Sequence, residues 1–237
     1  MNWAELHCEG YHDRAFLAGW LESRGWKDPG LNGGLRSLVR NPLTQKVVAG
    51  GRFAFQFEDV IFLEIIPSEG KDNAVRNACR TLKNSLTDAA PPAWVVVACD
   101  LDDEDLEACR QRLQTRLSNS RQPSVPIATA TLIWHATGDF GLGVPPEQTL
   151  ERLVCGALSR AHLDRGQIVQ DWLAATGNPE PSPKSYSWSH MAGWYARHGC
   201  ERFFRQVWSE KQVRAHLETL LADCSAQELT ALESGSP

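Results

Sequence analysis

The sequence predicts an α/β fold: a mainly parallel sheet with helices on both faces, followed by a C-terminal helical extension. Three observations carry this. Strand-like and helix-like stretches alternate through residues 1–160. One of them, "WVVVAC" from Trp94, is apolar on both faces, as an interior parallel strand must be. Beyond residue 160 the pattern is helical only, which divides the chain into 1–160 and 161–237.

The elements follow in order. "WAELHCE" is short and apolar and is followed by Gly10, as expected of a strand running into a loop. From Asp13 the period changes, with Phe16, Leu17, Trp20 and Leu21 at helical spacing and Gly25 near the stop. After the loop "DPGLNGG", the Val/Ile/Phe content of "QKVVAGGRFAFQFEDVIFLEIIP" and the turn-like "ED" at 58 and 59 predict strands or a hairpin. A helix is expected over 72–85, with Ala74, Val75, Ala78 and Leu82 on one face. The strand at Trp94 runs directly into "DLDDEDLEACRQRLQTRL", a helix with an inward stripe of Leu106, Cys109, Leu113 and Leu117. "IATATLIWH" is another strand, and "PPEQTLERLVCGAL" opens a helix behind two prolines. In the tail, "TGNPEPSPKSYS" is a loop. The rings of Trp188, Trp194, Tyr195, Phe203, Phe204 and Trp208 are expected to pack as a core stripe.

Composition bounds the function classes. The chain has 237 residues, 42% hydrophobic and 22% charged, the profile of an ordinary soluble globular protein without repeats. No apolar run approaches the roughly 20 residues that span a bilayer, and "MNWAELHCEG" lacks the basic and apolar regions of a signal peptide. A cytoplasmic protein without a membrane role is expected. Seven cysteines without a CxxC pair argue against a disulfide framework or a thiolate zinc site. They read as buried small apolar residues. The net charge of -5 offers nucleic acid no general attraction, but six Lys/Arg against two Glu between Lys184 and Arg214 make a local basic stretch. A solvated helical face and a phosphate-binding surface both account for it.

Acidic residues gather where chemistry is expected. In an open α/β sheet the functional crevice lies beyond the carboxyl ends of the strands. Glu9 ends the first strand and Asp13 enters the next helix. Asp100 ends the strand from Trp94, and Asp102 lies two residues on. Glu151 follows Thr149, a helix-start hydroxyl. If the strands are neighbours these carboxylates converge, and converging carboxylates repel unless a cation or a proton intervenes. Oxygen ligands at that density suit the hard ions magnesium, manganese or calcium. Helix capping accounts for some members alone: 102–105 precede a helix with Arg110, Arg112 and Arg116 toward its end, which suits the helix dipole. Glu9 has no such structural task.

"CEGYHDRAFL" and "VVVACDLDD", each at a strand end and separated by an intervening strand and helix, resemble the Toprim fold. That fold is the metal-binding domain of topoisomerases, bacterial primases, ribosomal-RNA maturases and overcoming-lysogenization-defect nucleases. Glu9, Asp100 and Asp102 match its signature glutamate and Asp-x-Asp. The run from Glu9 to Asp13 resembles the maturase and lysogenization-defect branch, in which the second acid also serves the metal site, and Thr149 with Glu151 resemble the Thr-x-Glu that completes its second metal site. Lys184 is similar to the lysine that stabilises transition-state charge there. The sequence departs from that branch at Ala98, where a hydroxyl is usual. "IIPSEGKDNAVRN" and the helical tail are more similar to small stand-alone Toprim-like proteins of unestablished function. In them Gly70, Lys71 and Asn73 would form a polar loop; alternatively "EGKDN" is a turn with Asp72 as N-cap.

The resemblance implies a Mg2+- or Mn2+-dependent phosphodiester hydrolase, a nuclease acting on DNA or RNA. Asp13, Asp100, Asp102 and Glu151 would hold ions. Glu9 would ligate a metal or act as general base, and Lys184 would stabilise charge. Two alternatives stand beside it: a non-catalytic metal- or nucleotide-binding module of a larger, defence-related assembly, and a relic whose acids no longer bind metal. No GxxxxGK[ST] run is present, so ATPase function would have to come from a protein partner.

Overall fold

A computed structural model describes residues 1–32, 35–194 and 199–224. The strands are β1 (Asn2–Cys8), β2 (Leu31–Asn32), β3 (Leu35–Arg36), β4 (Phe53–Phe57), β5 (Ile61–Pro67), β6 (Trp94–Asp100) and β7 (Ala128–Trp134). The helices are α1 (Tyr11–Ser23), α2 (Lys71–Asn84), α3 (Leu106–Ser118), α4 (Leu150–Ala161), α5 (Leu163–Ala175), α6 (Pro183–Trp194), α7 (Gly199–Gln206) and α8 (Lys211–Asp223).

Five strands form one sheet in the order β4-β5-β1-β6-β7. β5, β1, β6 and β7 are mutually parallel, and only the edge strand β4 runs antiparallel, as the hairpin partner of β5. The hairpin turns at "ED", where Glu58 takes a φ of 47°. Strand β6 is interior, and its two-faced apolar character has a direct use. Trp94, Val96 and Ala98 enter the larger core, while Val95, Val97 and Cys99 enter the core under α2 and α3.

The larger core lies on the other face, where α1 and α4 meet the sheet. Phe203, Phe204, Val207 and Trp208, and Val213, Leu217 and Leu220 of α8, belong to that same cluster. Each large apolar side chain so buried contributes about 1.5–3 kcal/mol. Two ion pairs tie α7 to α1, Arg14 with Glu201 and Arg205 with Glu22. The contact is close enough that a Cβ on Gly19 would come within 2.3 Å of the Arg205 carbonyl oxygen and 2.6 Å of the Trp208 ring.

Several local expectations need correction. The helix after β6 begins only at Leu106, because Asp105 caps it by accepting from the Ala108 N–H. The residues before it form a loop in which Asp102 adopts a φ of 58°. Asp72 is not the N-cap of α2. Gly70 holds that position at a φ of 115°, which a glycine adopts without a side-chain clash. Trp188 is half-exposed rather than part of the core stripe. The packing of Trp194 and Tyr195 lies outside the described residues. All seven cysteines are free; six are buried and Cys200 is partly exposed.

Candidate metal centre at the carboxyl edge of the sheet

The site is built at the ends of two adjacent strands. β1 pairs directly with β6, Cys8 against Ala98, so Glu9, one residue past Cys8, and Asp100, two past Ala98, emerge at the same edge of the sheet. Glu9 Oε1 accepts a 2.8 Å hydrogen bond from the Asp100 N–H, which locks the two strand ends together. Asp13 sits one turn into α1. Its Oδ2 accepts from the Gly10 N–H at 3.0 Å and its Oδ1 accepts from the indole Nε1 of Trp134 at 2.8 Å. Thr149 caps α4 as its position suggested, accepting from the Arg152 N–H. Asp100 Oδ1 accepts from the Leu150 N–H at 2.8 Å, so the first turn of α4 is anchored on the end of β6. Glu151, in that turn, is 6% exposed and lies 3.3 Å from His12 Nδ1.

These groups surround one cavity of about 360 Å³, lined by Glu9, Asp13, Asp100, Glu151, Gly70 and Lys184 among others. Lys184 arrives from the first turn of α6, an exposed side chain more than eighty residues downstream of Asp100.

Four carboxyls around one cavity strain one another electrostatically. Burial pushes Asp13 up to about 7; the Trp134 N–H opposes this, and the carboxylates of Glu9 and Glu151 add to it. Asp100 is raised well above the usual carboxylate range, first by burial and then by Asp13, Glu9 and Glu151. Glu9 is raised by burial, with the Asp100 N–H opposing and Asp102 and Glu151 adding. A group of acids that raise one another in this way is held at a cost, which a cation or shared protons would offset.

Asp102 and the residues of the Gly70 loop are placed differently. Asp102 does not line the cavity; its left-handed backbone turns it toward Lys71, whose Nζ lies 3.2 Å from Asp102 and 3.1 Å from Glu104. Lys71 opens α2, and its ammonium is held in the charged form by those acids against the opposing effect of burial. Asn73 turns back to donate to the Glu69 carbonyl at 3.0 Å and stays outside the cavity. Among the described residues, no three or more His, Cys, Asp or Glu side chains are arranged closely enough to hold a metal ion as they stand. Both oxygens of Asp13, one of Glu9 and one of Asp100 already accept from N–H donors.

Sequence reasoning missed three contributors. His12 lies between Glu9 and Asp13 in the chain, and besides facing Glu151 it stacks on Phe204 of α7 at 4.5 Å. Trp134 ends β7, and the rule that sites lie at carboxyl ends of strands would have pointed to it. Phe204 had no local signal, since it reaches the site only through the packing of α7 on α1.

The cavity is carboxylate-rich, with His12 beside Glu151 as its one imidazole, and carboxylate oxygens are the donors that hard divalent ions prefer. No protein-family model matches the chain, and no curated protein matches it. In fold it is similar to a hypothetical protein, PH0156, from Pyrococcus horikoshii OT3. Its crystal structure matches with a TM-score of 0.70 at 16% identity, over 99% of this chain and 100% of that one. At that identity the likeness speaks to the fold alone, and the fold shared over the whole length is an α/β sheet with its C-terminal helices attached.

Proposed function

We propose that this chain is a divalent-metal-dependent phosphodiester hydrolase, a nuclease acting on DNA or RNA with Mg2+ or Mn2+. The observation that carries the reading is the convergence of Glu9, Asp13, Asp100 and Glu151 on one cavity, three of them raised in pKa by burial and by one another. In this reading Asp13, Asp100 and Glu151 hold the ion or ions, and Asp102 joins them by leaving Lys71. A divalent ion there supplies Lewis-acid neutralisation of a phosphate. Glu9, with one oxygen fixed by the Asp100 N–H, keeps the other for a ligand or a proton, which suits a ligating or general-base role. The exposed Lys184 ammonium is suited to a non-bridging phosphate oxygen as negative charge grows.

A second reading, a non-catalytic metal- or nucleotide-binding module acting with protein partners, is favoured by Ala98. It is fully buried and supplies no hydroxyl beside Asp100. One experiment separates the two: incubation of wild type and Asp100→Asn with single- and double-stranded DNA and RNA, with manganese and with chelator. Cleavage that needs manganese and disappears in Asp100→Asn supports the hydrolase. A metal-induced rise in melting temperature without any cleavage supports the module.

A further inference from the structure

Away from the carboxylate cavity, the face of the sheet covered by α2 and α3 carries a groove of about 520 Å³ between the two helices. Its charged lining is entirely basic: Arg76, Arg80 and Lys83 from α2, and Arg116 from α3. The remaining walls are the neutral polar Asn84, Asn119 and Ser120 over a Cys79 floor. In a chain of net charge -5 this concentration needs a reason.

Arg76, Arg80 and Lys83 stand at i, i+4 and i+7, so they form one stripe, spaced by about 6 and 4.5 Å along the helix axis. All three are exposed, and among the described residues none of them enters an ion pair. Other cations of the chain do: Lys46 with Asp88, Lys71 with Asp102 and Glu104, Arg112 with Glu104, Arg205 with Glu22. Asp72, outside the lining, reaches Arg116 at 3.8 Å and is otherwise in solvent. Like charges at i, i+4 on a helix are mildly destabilising, and of the three only Lys83, in the last turn of α2, suits the helix dipole.

The groove is also connected to the candidate centre. Gly70, the N-cap of α2, lines the carboxylate cavity, and the helix leads away from it. Arg76 then lies about 9 Å and Lys83 about 20 Å along the axis from that cap. The basic stretch between Lys184 and Arg214 also supplies Arg202, Arg205 and Arg214 to a pocket, but Glu22 lines that pocket too, and Arg205 is paired with Glu22 and Asp28.

We propose that the groove between α2 and α3 is a track for the phosphodiester backbone of a polynucleotide, which it leads toward the carboxylate cavity. The link to cleavage rests on the hydrolase reading; the binding surface does not. Phosphates spaced along a strand would meet Arg76, Arg80 and Lys83 in turn, with Arg116 on the opposite wall and the asparagines donating to sugar or phosphate oxygens. Contacts of this kind position the strand without reading its sequence.

The test is fluorescence anisotropy with labelled oligo-dT, oligo-rU and a DNA duplex of roughly 20 nucleotides, longer than the about 4–16 of a typical single-strand site. Binding is measured in chelator from about 50 to 200 mM salt. Arg76→Ala/Arg80→Ala/Lys83→Ala is expected to melt like wild type and to bind at least about tenfold more weakly. Its salt slope should fall by about 2, since each single-strand phosphate contact contributes about 0.7. Lys27→Ala/Arg40→Ala, which removes two exposed cations elsewhere, should bind like wild type. The comparison among the three nucleic acids identifies the source of the backbone. An unchanged affinity and slope in the triple variant, or no binding of any of the three by wild type at the lowest salt, overturns the proposal. Hydrolysis of bis(p-nitrophenyl) phosphate with manganese reads the cavity alone, because that diester is too small to occupy the groove. If wild type lacks this hydrolysis while the triple variant still loses binding, the hydrolase reading fails and the groove stands. If hydrolysis is present and the triple variant binds normally, the groove fails and the hydrolase stands.

Discussion

The indole N–H of Trp134 donates a 2.8 Å hydrogen bond to Asp13 Oδ1, joining the end of β7 to the first turn of α1 across 121 residues. Both side chains are buried, and this donor is what keeps the Asp13 carboxyl from rising further in its surroundings of burial and like charge. Trp134→Phe removes the donor and keeps a ring against Phe16. The expected loss of stability is about 2–4 kcal/mol above pH 7, combining a hydrogen bond to a charged group with lost ring volume. Below pH 5 the loss should be smaller, because a protonated Asp13 needs the donor less. Urea unfolding at both pH values measures it, and equal losses would show that the bond carries no charge-dependent role.

The raised pKa of Asp13 also makes a prediction about pH. Its folded value of about 7 lies above its unfolded value near 3.8, so the folded state holds the proton more tightly. Its contribution to stability is present below pH 3.8 and is lost as pH rises through about 7. Other groups titrate in the same range, His190 with the opposite sign since burial lowers it to about 4. The prediction is therefore placed on a difference: in the absence of metal, Asp13→Asn should gain on wild type by about 1–4 kcal/mol between pH 4 and pH 7.5. A difference that stays flat across that range would remove the electrostatic account of the cavity.

Asp100→Asn separates ligand from scaffold. An asparagine oxygen can still accept from the Leu150 N–H, so the anchor of α4 survives while the charge goes. The metal-free variant should melt at or above the wild-type temperature. Magnesium or manganese should raise the melting temperature of wild type, by binding to the folded state, and leave the variant unmoved. An equal metal response in the two proteins would sink Asp100 as a ligand.

Gly19→Ala tests how the C-terminal helices are held. Its new methyl would meet the Arg205 carbonyl at 2.3 Å, backbone that cannot turn aside as a side chain would. A loss of about 1–3 kcal/mol or more is expected, as for an overpacked core. Trypsin should then cut faster within residues 176–185 and 199–212 than in wild type. A variant as stable and as resistant as wild type would mean that α7 can shift off α1 without consequence.

Much of the architecture was legible in the sequence, because it depends on local periodicity. The two-faced apolar run at Trp94, the change of period after Glu9 and the hydroxyl at Thr149 each report on their own few residues, and the structure places an interior strand, a helix and an N-cap there. The acids at strand ends were legible for the same reason: Glu9 and Asp100 end strands by their local pattern, whatever lies beside them. Which groups meet is another matter. The order β4-β5-β1-β6-β7 puts Glu9 beside Asp100, and the seating of α7 on α1 brings Phe204 to His12. The left-handed turn at Asp102 swings it to Lys71, although its spacing from Asp100 suggested a shared site. The stripe of Arg76, Arg80 and Lys83 became a groove only when α3 supplied a facing wall. Periodicity sets which face of an element a side chain occupies. The partner on that face is set by the packing of distant elements, whose apolar burial outweighs the preference of any one polar residue, and that only the tertiary structure decided.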